Sequence, residues 1–329
     1  MIATACADLS AAEYVTAEDA DGINSCVAKM LPTAGDEVTV GTLREACRRQ
    51  LGQGEGSETA LERRLEQEKV TEDSQFVITP HRPNYILIAA HNSAGVNREP
   101  FHEFPNYAAS LKDTEVKFQL SLKVPLIRDV MGTGGSLFAA YTNRSFWQLY
   151  NGRSAPFRET DHEPELFLSY RPDWQLGGFN MSVASVGISH QSNGQAGSLS
   201  RSWNRLFAQF VFDRANLFSS GDNLAIAIKP WYRLQEDRDD DDNPDIEHYL
   251  GNFELLSVYK RADHIFSLTA RNNLKSDSNR GALQLDWSFP LSRKIRGYVQ
   301  WFNGYGESLI DYDANVNSIG IGIKLTDWL

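Results

Sequence analysis

From Tyr85 onward the chain repeats one pattern, in which apolar side chains alternate with polar or small ones at a period of two. Val116, Phe118, Leu120, Leu122 and Val124 interleave with Lys117, Gln119, Ser121 and Lys123. Leu283, Leu285, Trp287 and Phe289 interleave with Ala282, Gln284, Asp286 and Ser288, and Ile319, Ile321, Ile323 and Leu325 with Ser318, Gly320, Gly322 and Lys324. Successive side chains of a strand point to opposite faces, so each run predicts a strand with one hydrocarbon face and one polar or small face. About twelve such strands are expected, near residues 84–92, 115–125, 136–150, 164–171, 180–192, 202–213, 222–236, 246–259, 264–273, 281–289, 295–305 and 316–326.

Alternate connections differ in kind. One set is polar and often long (93–114, 151–163, 193–201, 237–245, 306–315), and the other tends to Pro/Gly turns, as at 172–178 and 290–293. An even strand count with this asymmetry predicts an all-β fold, a twelve-stranded antiparallel transmembrane β-barrel with polar side chains inside and apolar ones outside. A soluble β-sandwich also alternates, but it does not account for apolar faces this aromatic in so many consecutive strands, with Trp and Tyr near many strand ends. No stretch reaches the roughly 18 consecutive apolar residues of a membrane-spanning helix. The mean hydropathy of -0.41 is compatible with a barrel, because alternation averages out.

A net charge of -11 argues against nucleic acid as a partner, which wants a basic surface. Acidic loops suit divalent cations instead. Residues 1–75 lack the alternation and are expected to form an N-terminal extension, partly helical or disordered, preceding a barrel domain over 76–329. Thr42 and Glu45 make a capping box before Leu43, Ala46, Cys47 and Leu51, which predicts a short helix; a second is expected over Ala60–Lys69, its charges a solvated face. Cys26 and Cys47 could form a disulfide with Cys6 left over, or all three could be buried thiols. Met1–Ala5 has no charged n-region or apolar core, so export would require a leader already removed.

The segment His190–Asn204 reads as two strands joined by a glycine-containing turn. On the first, His190 and Ser192 share a face with Val186 and Ile188, while Ser185, Gly187, Ser189 and Gln191 take the other. If the strands pair symmetrically about Gly197, Asn204 lies opposite His190, on the same side as Leu206, Phe210 and Phe212. A serine needs a base to become a nucleophile, His190 is placed to be one, and Asn204 could hold the imidazole in one tautomer. Gly194, just past the serine, could lend its N–H to an oxyanion. A hydroxyl nucleophile beside hydrocarbon suggests a lipid hydrolase. Asn143 shares its face with Leu137, Tyr141, Trp147 and Leu149, so its amide would meet lipid unless something, such as a second barrel, satisfied it.

These residues resemble the outer-membrane phospholipases A. The resemblance rests on Glu115–Leu122, Tyr141-Thr142 with Trp147-Gln148-Leu149, Pro156–Thr160, His190–Asn204, Lys229–Tyr232, Asp242–Asp245 and Gly304–Tyr312, and covers roughly residues 80–329. It implies a homodimeric outer-membrane enzyme, its active site towards the cell surface, that hydrolyses acyl esters of phospholipid and lysophospholipid with Ca2+. Ser192 matches the nucleophile, His190 the base and Asn204 the orienting amide. Ser154, Gln195, Ser200 and Asp242 match calcium ligands, and Asn143 matches an amide at the dimer contact. Gln195 stands where the family often has arginine, Gly197 and Leu199 interrupt a usually polar loop, and the chain ends Asp327-Trp328-Leu329 where such barrels usually end in Phe. A non-enzymatic barrel (channel or adhesin) and a soluble β-rich esterase are the competing readings. The first needs an open lumen; the second needs solubility without detergent.

Overall fold

The computed structural model describes residues 17–31, 43, 47, 59–73, 78–152, 156–172, 174–237, 239, 241–292 and 294–329. Among the described residues, fourteen strands pair into one sheet. Two of them, Thr79–Pro80 and Gln175–Leu176, are two-residue additions. The remaining strands form the barrel: β1 (Tyr85–Asn92), β2 (Thr114–Ile127), β3 (Ser136–Trp147), β4 (Phe157–Tyr170), β5 (Phe179–Ser192), β6 (Ser202–Ala215), β7 (Asp222–Leu234), β8 (Phe253–Arg261), β9 (His264–Asn272), β10 (Gly281–Pro290), β11 (Arg296–Tyr305) and β12 (Asn315–Lys324). All pairings are antiparallel, and β12 closes on β1 from Ser318↔Asn92 to Lys324↔Tyr85. Closure leaves no unpaired edge, the condition for a sheet to stand in hydrocarbon.

The two faces sort as the alternation predicts. On β2, Lys117 is 1% exposed whereas Leu120 is 55% exposed. Leu166, Val186, Ile188, Leu206, Ile228, Leu283, Leu285, Ile319 and Ile321 continue an exposed apolar belt around the wall. An apolar surface of this extent is stable against lipid and not against water. No helix among the described residues is long and apolar enough to cross a membrane.

Two strands differ from expectation. β4 begins at Phe157, seven residues before its predicted start, because its outward side chains Thr160 and His162 are polar and hide the period. β8 begins at Phe253; Ile246–Leu250, expected to open that strand, is a short helix whose Ile246 and Leu250 pack into the barrel mouth. A short apolar run does not by itself distinguish the two conformations.

The interior is filled. Lys117 Nζ donates to Gln300 Oε1 (2.7 Å) and Glu307 Oε1 (2.9 Å). Arg158 pairs with Glu115 (2.7 Å) and Asp311 (2.8 Å). Glu163 meets Arg82 and Arg205, and Glu165 meets Arg82, Lys229 and His81. Charges withdrawn from water persist only when paired in this way. Above them, Leu309 and Ile310 enter the mouth, their N–H groups donating to Asp161 and Glu159. Towards the turn side there remains a cavity of about 150 Å³ lined by Arg82, Arg144, Lys229, Arg271 and Asp286.

Helix α1 (Ala17–Met30) carries Cys26, which forms a disulfide with Cys47. Cys6 and most of the helix expected around Leu43–Leu51 lie outside the described residues, although positions 43 and 47 are helical. Helix α2 (Ala60–Asp73) has a reciprocal capping box: Glu62 N–H donates to Thr59 Oγ1 (3.1 Å) and Thr59 N–H to Glu62 Oε2 (2.8 Å). Its charges do more than face solvent. Arg64 donates to the carbonyls of Asp327 and Trp328, Glu68 pairs with Lys123 (2.7 Å), and Leu61 packs with Trp328 and Leu329 on Ala225, Val258 and Ile265. The helix thereby covers the turn-side mouth and grips the C-terminal residues.

Burial alone would raise the Glu68 carboxyl; Arg64 and Lys123 outweigh it and hold it below its ordinary 4.5. A depressed carboxyl contributes stability that is present above its ordinary value and lost as pH falls through the lowered one. The protection of α2 amides against hydrogen exchange should therefore be steady at neutral pH and decline below about pH 4. Glu68→Ala, which leaves Lys123 with Glu72 at 3.7 Å, should loosen the docked helix by about 1–3 kcal/mol at pH 7 on the same readout.

Candidate active site

β5 and β6 form the hairpin read from the sequence. Their register sets His190 opposite Asn204, Gln191 opposite Trp203 and Ser192 opposite Ser202. His190 is exposed on the wall with Val186 and Ile188, while Ser189 and Arg205 turn inward and are buried. Ser192 and Asn204 are half-buried on the same outer face. The inward Trp203 and Trp231 stack edge to face under the Arg205 guanidinium, which makes a rigid floor beneath this outer patch.

His190 Nδ1 and Asn204 Oδ1 are 2.9 Å apart, and Asn204 Nδ2 donates to Glu236 Oε1 at 2.6 Å. A carboxylate can only accept, so the amide N–H₂ must face Glu236 and its carbonyl must face the imidazole. His190 Nδ1 then carries the hydrogen and Nε2 keeps a lone pair. That is the tautomer a general base requires. Glu236 had no signal in the sequence, since it lies beyond β7 in a charged loop and reaches the site only through folding. Among the described residues no hydrogen bond joins Ser192 to His190; they are neighbours by position on one strand face.

The loop past Ser192 is built around Asn193, which is buried. Its Oδ1 accepts from the N–H groups of Gln195 (3.2 Å) and Arg201 (3.0 Å), and its Nδ2 donates to Leu199 O (2.8 Å). Leu199, an irregularity in a polar loop by sequence, packs on the cluster Val96, Phe101, Ala108, Leu111 and Ile310 and anchors the turn. Gly194 has φ +63, a left-handed conformation that strains other residues, and is exposed beside the serine. His162 lies across from Ser192 in the β4–β5 register, another neighbour that the sequence reading passed over.

Of the expected calcium ligands, Ser200 and Asp242 come together, with Ser200 Oγ donating to Asp242 Oδ2 at 2.6 Å. Gln195 belongs to the same loop as Ser200, and Ser154 lies outside the described residues. An exposed carboxylate, a hydroxyl and loop carbonyls are hard oxygen donors of the kind calcium takes, so the residues fit. Asp241 is not a free loop charge: it pairs with Arg233 at 2.6 Å and accepts from Asn243 N–H. Asn143 faces outward, but it has contacts within the chain. Its Oδ1 accepts from Ser145 Oγ at 3.0 Å, and its Nδ2 is 3.5 Å from His162 Nδ1.

A family model described as Phospholipase A1 matches residues 61–325, a span that takes in most of α2 as well as the barrel. A Phospholipase A1 of Klebsiella pneumoniae is 38% identical over 256 residues, covering 78% of this chain and 84% of the relative. The solved structure of Escherichia coli outer membrane phospholipase A, as an active-site mutant with an asparagine changed to alanine, superimposes with a TM-score of 0.72 at 34% identity, covering 80% of this chain and 98% of that one. The Salmonella typhi outer membrane phospholipase, a dimer with bound calcium, gives a TM-score of 0.73 at 34% identity, covering 80% of this chain and 97% of that one.

The Glu236–Asn204 bond makes a spectroscopic prediction. With ¹⁵N-labelled histidine, His190 should show its hydrogen on Nδ1 in the parent. Glu236→Gln, whose carbonyl can accept the same bond, should preserve that signature. Glu236→Ala frees the amide to turn and should yield a mixture of tautomers; an unmixed Nδ1–H signal in that variant would contradict the assigned role.

Proposed function

This chain belongs to the phospholipase A1 family of outer-membrane ester hydrolases, and on that premise we propose that Ser192, His190 and Asn204 form its catalytic triad, working with calcium on phospholipid and lysophospholipid in the outer leaflet. The observation that carries the triad is the 2.9 Å contact between His190 and Asn204 on the wall that faces hydrocarbon. The asparagine in the active site of the Escherichia coli relative supports the same role for Asn204.

Chemically, His190 Nε2 takes the proton of Ser192 Oγ as the oxygen attacks the acyl carbonyl. The imidazolium that results is held by Asn204, with the negative charge of Glu236 behind the amide. It returns the proton to the leaving glyceryl oxygen, and water then releases the fatty acid from the serine by the reverse sequence. The Gly194 N–H stabilises the carbonyl oxygen as it gains charge. Ser200, Asp242, Gln195 and Ser154 would hold a calcium ion, which when bound supplies positive charge near the reacting ester. The calcium-bound dimer of the Salmonella typhi relative supports both the ion and a homodimer, in which the remaining N–H of Asn143 would meet the partner.

Placing the triad outside the barrel suits the substrate, whose acyl chains need never leave hydrocarbon. It also makes substrate supply the control. In an intact membrane the outer leaflet presents little phospholipid to this wall, and damage would bring it there. An open channel finds no support, because ion pairs fill the lumen and Leu309 and Ile310 occupy its mouth.

Fatty acid release from detergent-dispersed phospholipid tests the reading. Ser192→Ala should lower the rate by on the order of 10⁴-fold or more, and a chelator should suppress the parent's activity until calcium is restored. Asp242→Asn should raise the calcium concentration needed for half the maximal rate. Equal hydrolysis by the parent and Ser192→Ala would sink the triad.

A further inference from the structure

The nucleophile lies between two histidines. His190 precedes it by two residues on β5, and His162 stands opposite it on β4. His162 belongs to the outer wall, on the same strand face as Leu166 and Leu168, where an imidazole needs partners for its polar atoms. One edge of the ring has them. The Tyr141 hydroxyl is 2.6 Å from Nδ1, and the Asn143 amide nitrogen reaches the same atom at 3.5 Å. Asn143 Oδ1 is engaged by Ser145 Oγ, so the amide presents N–H to the ring; a hydrogen on Nδ1 would meet that N–H donor to donor, which makes Nδ1 the acceptor, chiefly of the closer Tyr141 hydroxyl.

The hydrogen of neutral His162 is therefore on Nε2. That nitrogen has no hydrogen-bond partner among the described residues, and its edge of the ring faces the loop past the nucleophile. A Cβ placed on Gly194 would lie 3.8 Å from His162 Cδ2 and 3.9 Å from Nε2. The surroundings thus set the two imidazoles in opposite senses. His190 offers a lone pair, and His162 offers a hydrogen.

We propose that His162 is a further catalytic residue, donating from Nε2–H to the ester carbonyl oxygen of the bound lipid as that oxygen becomes anionic. This rests on Ser192 being the nucleophile. An acyl carbonyl attacked by Ser192 has to place its oxygen near the Gly194 N–H, and the unpartnered edge of His162 borders that space. Preorganised donors aimed at developing charge count for most in a site that lipid keeps dry. The donor stays protonated throughout, so no proton is transferred to or from His162.

His162→Phe keeps an aromatic ring on the wall and removes the donor. Its kcat should fall on the order of 10²-fold, the usual effect of losing one oxyanion donor, with KM, calcium affinity and the dimer fraction close to the parent's. His162→Met, which places a hydrocarbon-compatible side chain there as Leu166 does on the same face, should behave alike and serves if the Phe variant fails to fold. His162→Gln, which still offers an N–H, should recover most of the rate. An unchanged kcat in the folded donor-less variants would overturn the proposal. So would a loss that appears only in KM or in dimer formation, because His162 would then act through lipid binding or the interface. Ser192→Ala run in parallel separates the two levels: if it remains active the triad itself fails and this role with it, whereas an inactive Ser192→Ala beside a fully active His162→Phe removes the His162 role alone.

Discussion

Closure of β12 on β1 is the constraint from which the rest follows. A sheet surrounded by hydrocarbon cannot leave backbone N–H and C=O groups unpaired, so it must join end to end. Once it does, each strand separates two environments, and its alternate residues must suit lipid on one side and a packed polar interior on the other. Lys117 against Leu120 on a single strand shows how complete that division is.

The filling of the interior decides where chemistry can occur. Lys117, Arg158, Arg205 and Lys229 are each committed to buried carboxylates, and removing one member of such a pair would strand a charge. Groups held this tightly have no freedom to turn over a substrate. They instead hold the wall rigid under His190 and Ser192, while Asn193 and Leu199 fasten the loop beyond them. The proposed triad lies on the outside, where the lipid is, and its polar neighbours are accommodated by hydrogen bonds along the wall.

The barrel was legible because one face of nearly every strand is apolar. Strand positions on β2, β10 and β12 follow directly from the interleaving of Val116–Val124, Leu283–Phe289 and Ile319–Leu325. The pattern failed on β4, where Thr160 and His162 face outward beside the candidate site. Polar side chains on the lipid face erase the signal by which the strand would be recognised, so the stretch that was hardest to read adjoins the proposed triad. The short helix Ile246–Leu250 failed for another reason, since its two buried residues suit either conformation.

The sequence by itself determined the barrel, the outward face of His190 and Ser192, and the pairing of His190 with Asn204, because all of these follow from a period of two and a symmetric hairpin. It could not supply Glu236 behind Asn204, His162 opposite Ser192, or the grip of α2 on Asp327 and Trp328. Those depend on which strands become neighbours around the barrel and on where its loops and helix come to rest. Local periodicity says which way a side chain points. Only the closed fold says what it meets.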